Sequence, residues 1–230
     1  MNRLIVLIGL CIFWHNSSVA EVKIQLLDQS GAPVEHAVVS FLHNEQSHQS
    51  AAPLEDASEA KPKTLPPAVM DQVDKQFSPR VLLVQPGQAV VFPNSDQVRH
   101  HVYSFSKPND FEIRLYSGNQ TEPEHFDHPG VVVLGCNIHD QMVGYLYVQG
   151  EESAKISDAN GLVVFDRRLP DEVTSPSSVS IWHSQLSSNK TDRVNRLLKE
   201  KNDQGVWTIK LNLLSEAKKT NTRKFKPRYF

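Results

Sequence analysis

The 230-residue chain balances 24 Lys+Arg against 26 Asp+Glu, a formal net charge of −2, so it lacks the basic excess that marks a nucleic-acid binder. A hydrophobic fraction of 39% can fill a real core, and 14 prolines with 10 glycines predict many turns. Residues 1–20 read as a secretory signal: Arg3, then the short apolar run "LIVLIGLCIFW", then "SVA" with small residues ahead of a cleavage site after Ala20. The run is too short for a comfortable membrane span. The expectation is a periplasmic protein with no integral span after cleavage. Cleavage also removes Cys11, which leaves Cys136 alone and without a partner for an internal disulfide.

After the signal, "EVKIQLLD" alternates Val22, Ile24 and Leu26 with polar residues, the pattern of a half-buried strand. "QSGAP" is a turn and "VEHAVVSFL" a second strand, which predicts a hairpin over 21–42. Residues 43–68 have no apolar periodicity and are rich in Pro, Ala, Ser and charge, so they form a linker in which His43 and His48 are solvated. From 69 to 149 short strand candidates follow one another: "SPRVLLVQPGQAVVF", "HHVYSFS", "FEIRLYSG", "HPGVVVLGC" and "MVGYLYVQG". No long amphipathic helix intervenes, which predicts an antiparallel β-sandwich or barrel. Beyond 150, "KISDANGLVVFDRRLP" reads as a hairpin around Asn160-Gly161. "SSVSIWHSQL" and "VWTIKLNLL" are further strands, and "TDRVNRLLKEKND" between them is a short helix or an excursion. The tail, 215–230, is basic and loose.

The segment "LGCNIHDQM" spaces Cys136, His139 and Met142 by two residues each, so one tight loop can turn three soft or borderline ligands toward one ion. Thiolate, imidazole and thioether together suit a mononuclear copper centre, which needs a second imidazole. "VRHHVYSF" supplies it through His100 or His101. His125, His128 and His183 lie outside this set and read as surface or structural residues.

These motifs resemble the cupredoxin family (plastocyanin- and amicyanin-like) over about residues 70–149. "FSPRVLLVQPGQAVVFPNSDQVRHHV" and "GVVVLGCNIHDQMVGYLYV" carry the likeness, and the ligand loop is similar to the short amicyanin type. Over the whole chain the landmarks are similar to bacterial "methylamine utilization protein"-type cupredoxins, except that Gln141 stands where those relatives commonly have Trp. The resemblance implies a Greek-key copper sandwich and, aligned on Val102, one copper ion held by His100, Cys136, His139 and Met142. It places His101 where the family has an Asn that braces the ligand loop, and makes Asn94 a candidate support for that loop. "DQSGAPVEHAVVSF" and "KISDANGLVVFDRRLP" are similar to a prealbumin- or carboxypeptidase-regulatory-like sandwich.

A lone hairpin is marginally stable. Residues 21–42 and 150–214 are therefore expected to form one discontinuous flanking sandwich around an inserted copper domain at 69–149; alternatively the N-terminal hairpin joins the copper sandwich. The expected fold class is all-β. The implied function is an extracytoplasmic one-electron carrier, not an enzyme, working with a redox partner such as a c-type cytochrome or a periplasmic dehydrogenase or oxidase. The rival reading is a copper-handling or partner-docking module without redox turnover.

Overall fold

The computed structural model describes residues 21–42, 65–118, 122–150, 153–166 and 178–215. The expected signal, most of the expected linker and the basic tail from 216 lie outside the described residues. Among the described residues every regular element is a β-strand, in keeping with the all-β expectation. Two strands come first, β1 (Glu21–Leu27) and β2 (Val38–Phe41). The middle of the chain holds β3 (Ala68–Val69), β4 (Asp71–Val73), β5 (Gln76–Ser78), β6 (Val81–Val84) and β7 (Ala89–Val91). It continues with β8 (His100–Ser104), β9 (Phe111–Tyr116), β10 (Glu124–His125), β11 (Gly130–Gly135) and β12 (Val143–Val148). The last five are β13 (Ala154–Ile156), β14 (Leu162–Asp166), β15 (Ser178–Trp182), β16 (Arg193–Leu197) and β17 (Trp207–Lys210).

The middle strands form a five-stranded sheet, β6-β12-β11-β8-β9, and a smaller sheet, β10-β7-β3, with β4 and β5 as a separate hairpin. The two sheets enclose one apolar cluster, to which Val84, Val90, Val102, Val132, Leu134 and Leu146 contribute. The flanking strands form β14-β1-β17 and β13-β2-β15-β16. These enclose a second cluster that includes Ile24, Leu26, Val39, Phe41, Val163 and Ile181.

A third apolar cluster joins the two pairs of sheets. It contains Val38 and Trp182 from one inner sheet and Val81, Val131, Tyr145 and Tyr147 from the other. Strand alternation makes this possible, since successive side chains point to opposite faces. On β12, Leu146 and Val148 face the middle core while Tyr145 and Tyr147 face Trp182. The Trp182 ring lies 5.2 Å from Tyr145, edge-on, and 6.1 Å from Tyr147. The Arg193 guanidinium sits 4.7 Å from the Tyr147 ring centre. Such aromatic pairs add about 0.5–1.5 kcal/mol each beyond the area they bury. The result is four sheets in a stack with three apolar seams.

Three expectations from the sequence are corrected. The hairpin over 21–42 does not form: β1 pairs with β14 and β17, while β2 pairs with β13 and β15. The Asn160-Gly161 turn likewise joins strands of different sheets, β13 and β14. In both places the chain crosses from one sheet of the sandwich to the other; β1 and β2 thereby bring their apolar faces together across the core, whereas β13 turns Ala154 and Ile156 to the seam with the middle sheets. The segment 191–203 contains β16 and not a helix; β16 pairs along its length with β15, and Val194 packs on the flanking core.

The crossings share one local device. Asp28 Oδ1 accepts the N–H groups of Ser30 and Ala32, and Gly31 N–H donates to the Asp28 carbonyl. Asp158 does the same for Asn160, Leu162 and Gly161, and Asn202 for Gln204, Val206 and Gly205. Each glycine has positive φ, +88°, +71° and +75°, a conformation that costs other L-residues about 1–2 kcal/mol. Gly161 is constrained further, because a Cβ there would lie 2.4 Å from the Leu26 carbonyl oxygen. Gly31 has open space around it. Gly31→Ala should therefore cost about 1 kcal/mol from backbone strain alone. Gly161→Ala should cost about 3 kcal/mol or more, because β1 must also shift. Urea denaturation of the two variants measures the difference, and equal losses would show that the close approach to β1 is unimportant.

Candidate metal centre

The alternation of β11 carries Val132 and Leu134 into the middle core, and Cys136 continues the series one residue beyond the strand. The Gly135–Val143 pair closes the base of the loop 136–142. Met142 N–H donates to the His139 carbonyl at 2.8 Å, which turns the loop back tightly. Cys136 and Met142 are buried in the same apolar cluster. Asn137, Ile138, Asp140 and Gln141 are exposed, and His139 is half-buried.

His100 opens β8 and is fully buried, and its neighbour His101 points the other way. His101 Nε2 meets Glu112 on β9 at 3.0 Å, so its side chain does not brace the ligand loop. A bulge on β9 sets His100 opposite Tyr116 and Val102 opposite Ile113.

His100, Cys136 and His139 come together. The His100 and His139 Nδ1 atoms are 3.2 Å apart, and the Cys136 Sγ lies 3.6 Å from the first and 3.8 Å from the second. An ion at the centre of such a triangle, with metal–nitrogen bonds of about 2.0–2.1 Å and a metal–sulfur bond of about 2.3 Å, needs edges near 3.5 and 3.8 Å. The donor set thus fits a transition metal without large movement. It is the one group of three or more His, Cys, Asp or Glu side chains with this geometry among the described residues.

The support around His100 extends beyond the ligands. Asp96 Oδ2 lies 2.6 Å from His100 Nε2, the nitrogen turned away from the triangle. Burial alone would raise the Asp96 carboxyl. The Lys75 N–H, the His100 ring and the Asp74 N–H bond to it and together hold it below the usual value. Asn94 braces this approach: its amide donates to the carbonyls of Val98 at 2.9 Å and Tyr116 at 3.0 Å. The Tyr116 hydroxyl donates to the Phe92 carbonyl and meets the Gln72 amide, and burial pushes its pKa up to about 12. Asp96 was not singled out from the sequence; the only signal was a carboxylate four residues ahead of a candidate ligand in "NSDQVRHH".

The other histidines stand apart. His125 and His128 are exposed, and His183 is half-buried in the flanking sheets, where its Nδ1 accepts the Gln185 N–H. His43 and His48 lie outside the described residues.

No protein-family model and no curated protein matches the chain. Among solved structures it is similar to a copper-containing nitrite reductase from Thermus scotoductus SA-01, at 26% identity and a TM-score of 0.35, over 36% of this chain and 22% of the reductase. It is also similar to a reduced and an oxidised variant of amicyanin, each at 20% identity and a TM-score of 0.34, over 36% of this chain and 82% of the amicyanin. The chain thus spans under a quarter of the reductase.

His100→Ala should abolish metal binding at the triangle, because two of its three edges end on that imidazole. His101→Ala should keep binding and lose at most the Glu112 contact, worth under about 1 kcal/mol at this partly exposed site. Titration of both variants with Cu(II) or Co(II) checks the assignment; metal held in His100→Ala and lost in His101→Ala would reverse the faces of β8.

Proposed function

We propose that this chain is an extracytoplasmic, mononuclear copper protein of cupredoxin type that carries single electrons between redox proteins. The observation that supports it is the His100–Cys136–His139 triangle at the end of a β-sandwich, with Met142 buried in the same cluster. Two imidazoles and a thiolate with a weak thioether are the donor set of copper electron-transfer sites. When bound, copper supplies a one-electron couple that needs no substrate.

The residues do the rest. His100 comes from the start of one strand, and the loop with Cys136, His139 and Met142 is tied at both ends to a six-residue ladder. Donors fixed this way change little between oxidation states, which favours fast exchange. His139 is the ligand that reaches the surface, beside Ile138 with 51% exposure. An exposed apolar side chain beside a ligand edge suits brief docking of a redox partner, such as a c-type cytochrome or a periplasmic dehydrogenase or oxidase. The signal-like first twenty residues support a periplasmic location.

Copper-loaded protein should show an intense thiolate-to-copper band in the visible range. Cys136→Ser should lose that band and remain folded, since the strands on either side of the loop do not depend on the ion; full colour in this variant would end the proposal. Met142→Leu should keep copper and colour while its midpoint potential rises, because a donor that favours Cu(II) is lost. Complete loss of copper from Met142→Leu would instead make the thioether a holding ligand. Steady nitrite or dioxygen turnover by the wild type would replace the carrier reading with an enzyme.

A further inference from the structure

The carboxylate behind His100 has a role that the ligand triangle alone does not require. We propose that Asp96 is a positioning residue for the copper ligand His100. Its carboxylate accepts a hydrogen bond from the Nε2–H, leaves the Nδ1 lone pair to the ion, and adds a fixed negative charge that favours Cu(II) over Cu(I). This rests on the copper reading above.

The geometry carries it. His100 has no exposed surface and the Asp96 side chain is 12% exposed, so water competes little for their 2.6 Å contact. A ring nitrogen facing a carboxylate acceptor carries the proton, which fixes the tautomer and leaves Nδ1 free to ligate. Asp96 is itself held in place. Its Oδ1 accepts the Asp74 N–H at 2.7 Å and its Oδ2 the Lys75 N–H at 2.9 Å. Its own N–H donates to Asn94 Oδ1 at 3.0 Å. Asp74 and Lys75 are the two corner residues of the β4–β5 hairpin, both with positive φ, which turns their N–H groups toward the carboxylate. A backbone carbonyl could fix the same tautomer but would add no full charge.

The test compares copper-loaded wild type, Asp96→Asn and Asp71→Asn. Asp71 clamps the same loop through the Ser95 N–H and hydroxyl without touching His100, so it controls for loss of a loop clamp and of a nearby charge that makes no contact with the ligand. Asp96→Asn should keep copper and colour but lose about tenfold in preference for Cu(II), the lower end of effects for such supporting groups. For a one-electron couple that is an upward shift of about 59 mV in midpoint potential. Asp71→Asn should lower Tm and leave the potential in place. An unmoved potential in a folded Asp96→Asn, or an equal shift in Asp71→Asn, overturns the proposal. Should Asp96→Asn fail to fold, nitrogen-15 NMR of the reduced wild type decides: a slowly exchanging proton on His100 Nε2 supports the assignment, and an unprotonated Nε2 overturns it. A wild type that takes up no copper would remove the copper reading together with this one. A normal wild type with an unmoved variant removes this one only.

Discussion

The antiparallel ladder between β11 and β12 is the constraint on which the rest of the molecule depends. Six consecutive pairs, from Gly130–Val148 to Gly135–Val143, fix which residues face which side. One side of the ladder builds the middle core and leads straight to Cys136. The other meets Val38 and Trp182 of the neighbouring sandwich. A one-residue slip of β12 would turn Tyr145 and Tyr147 into the core, and a one-residue slip of β11 would turn Cys136 out of it. The burial of both faces forbids either slip, so the seam between the sandwiches helps to hold the loop with Cys136 and His139 in register.

The same logic explains why a preformed cluster of donors is affordable in a small β protein. A buried imidazole and thiol beside a half-buried imidazole are polar groups that need partners. Here the two Nδ1 atoms and the sulfur face one another, and the remaining His100 nitrogen is satisfied by Asp96. The Asp96 carboxylate is in turn satisfied by backbone N–H groups of a hairpin corner. Polar groups are thus closed off outward from the site until the last of them are ordinary backbone amides.

Much of this was legible in the sequence, and the failures have a common cause. Period-two alternation marked β1, β11 and β12, and the spacing of Cys136 and His139 marked the loop, because these are local properties. Which histidine of the adjacent pair faces inward depends on strand phase, and Val102 sets that phase. The local signals "QSGAP" and "DANGL" revealed where the chain reverses but not whether the next strand joins the same sheet or the opposite one. Alternation looks the same in either case. β16 was obscured because only Val194 along "RVNRL" packs on the core. Asp96 was invisible as a supporting residue because its other partners, Asp74 and Lys75, lie more than twenty residues away at the corner of a hairpin.

The pairing of β2 with β13 bears on whether the middle of the chain could be cut out. Ser40 lies directly opposite Ala154, so the long middle portion leaves and returns through two neighbouring strands of one sheet. Topologically the middle sandwich occupies the place of a hairpin turn. A short turn joining Phe41 to Ala154 would restore an uninterrupted flanking sandwich of seven strands. The middle portion is not detachable, however. Excision would strip the cover from Val38 and Trp182 and leave an apolar, sticky face. The two sandwiches therefore share one interior although the chain path alone would let the middle one be cut out.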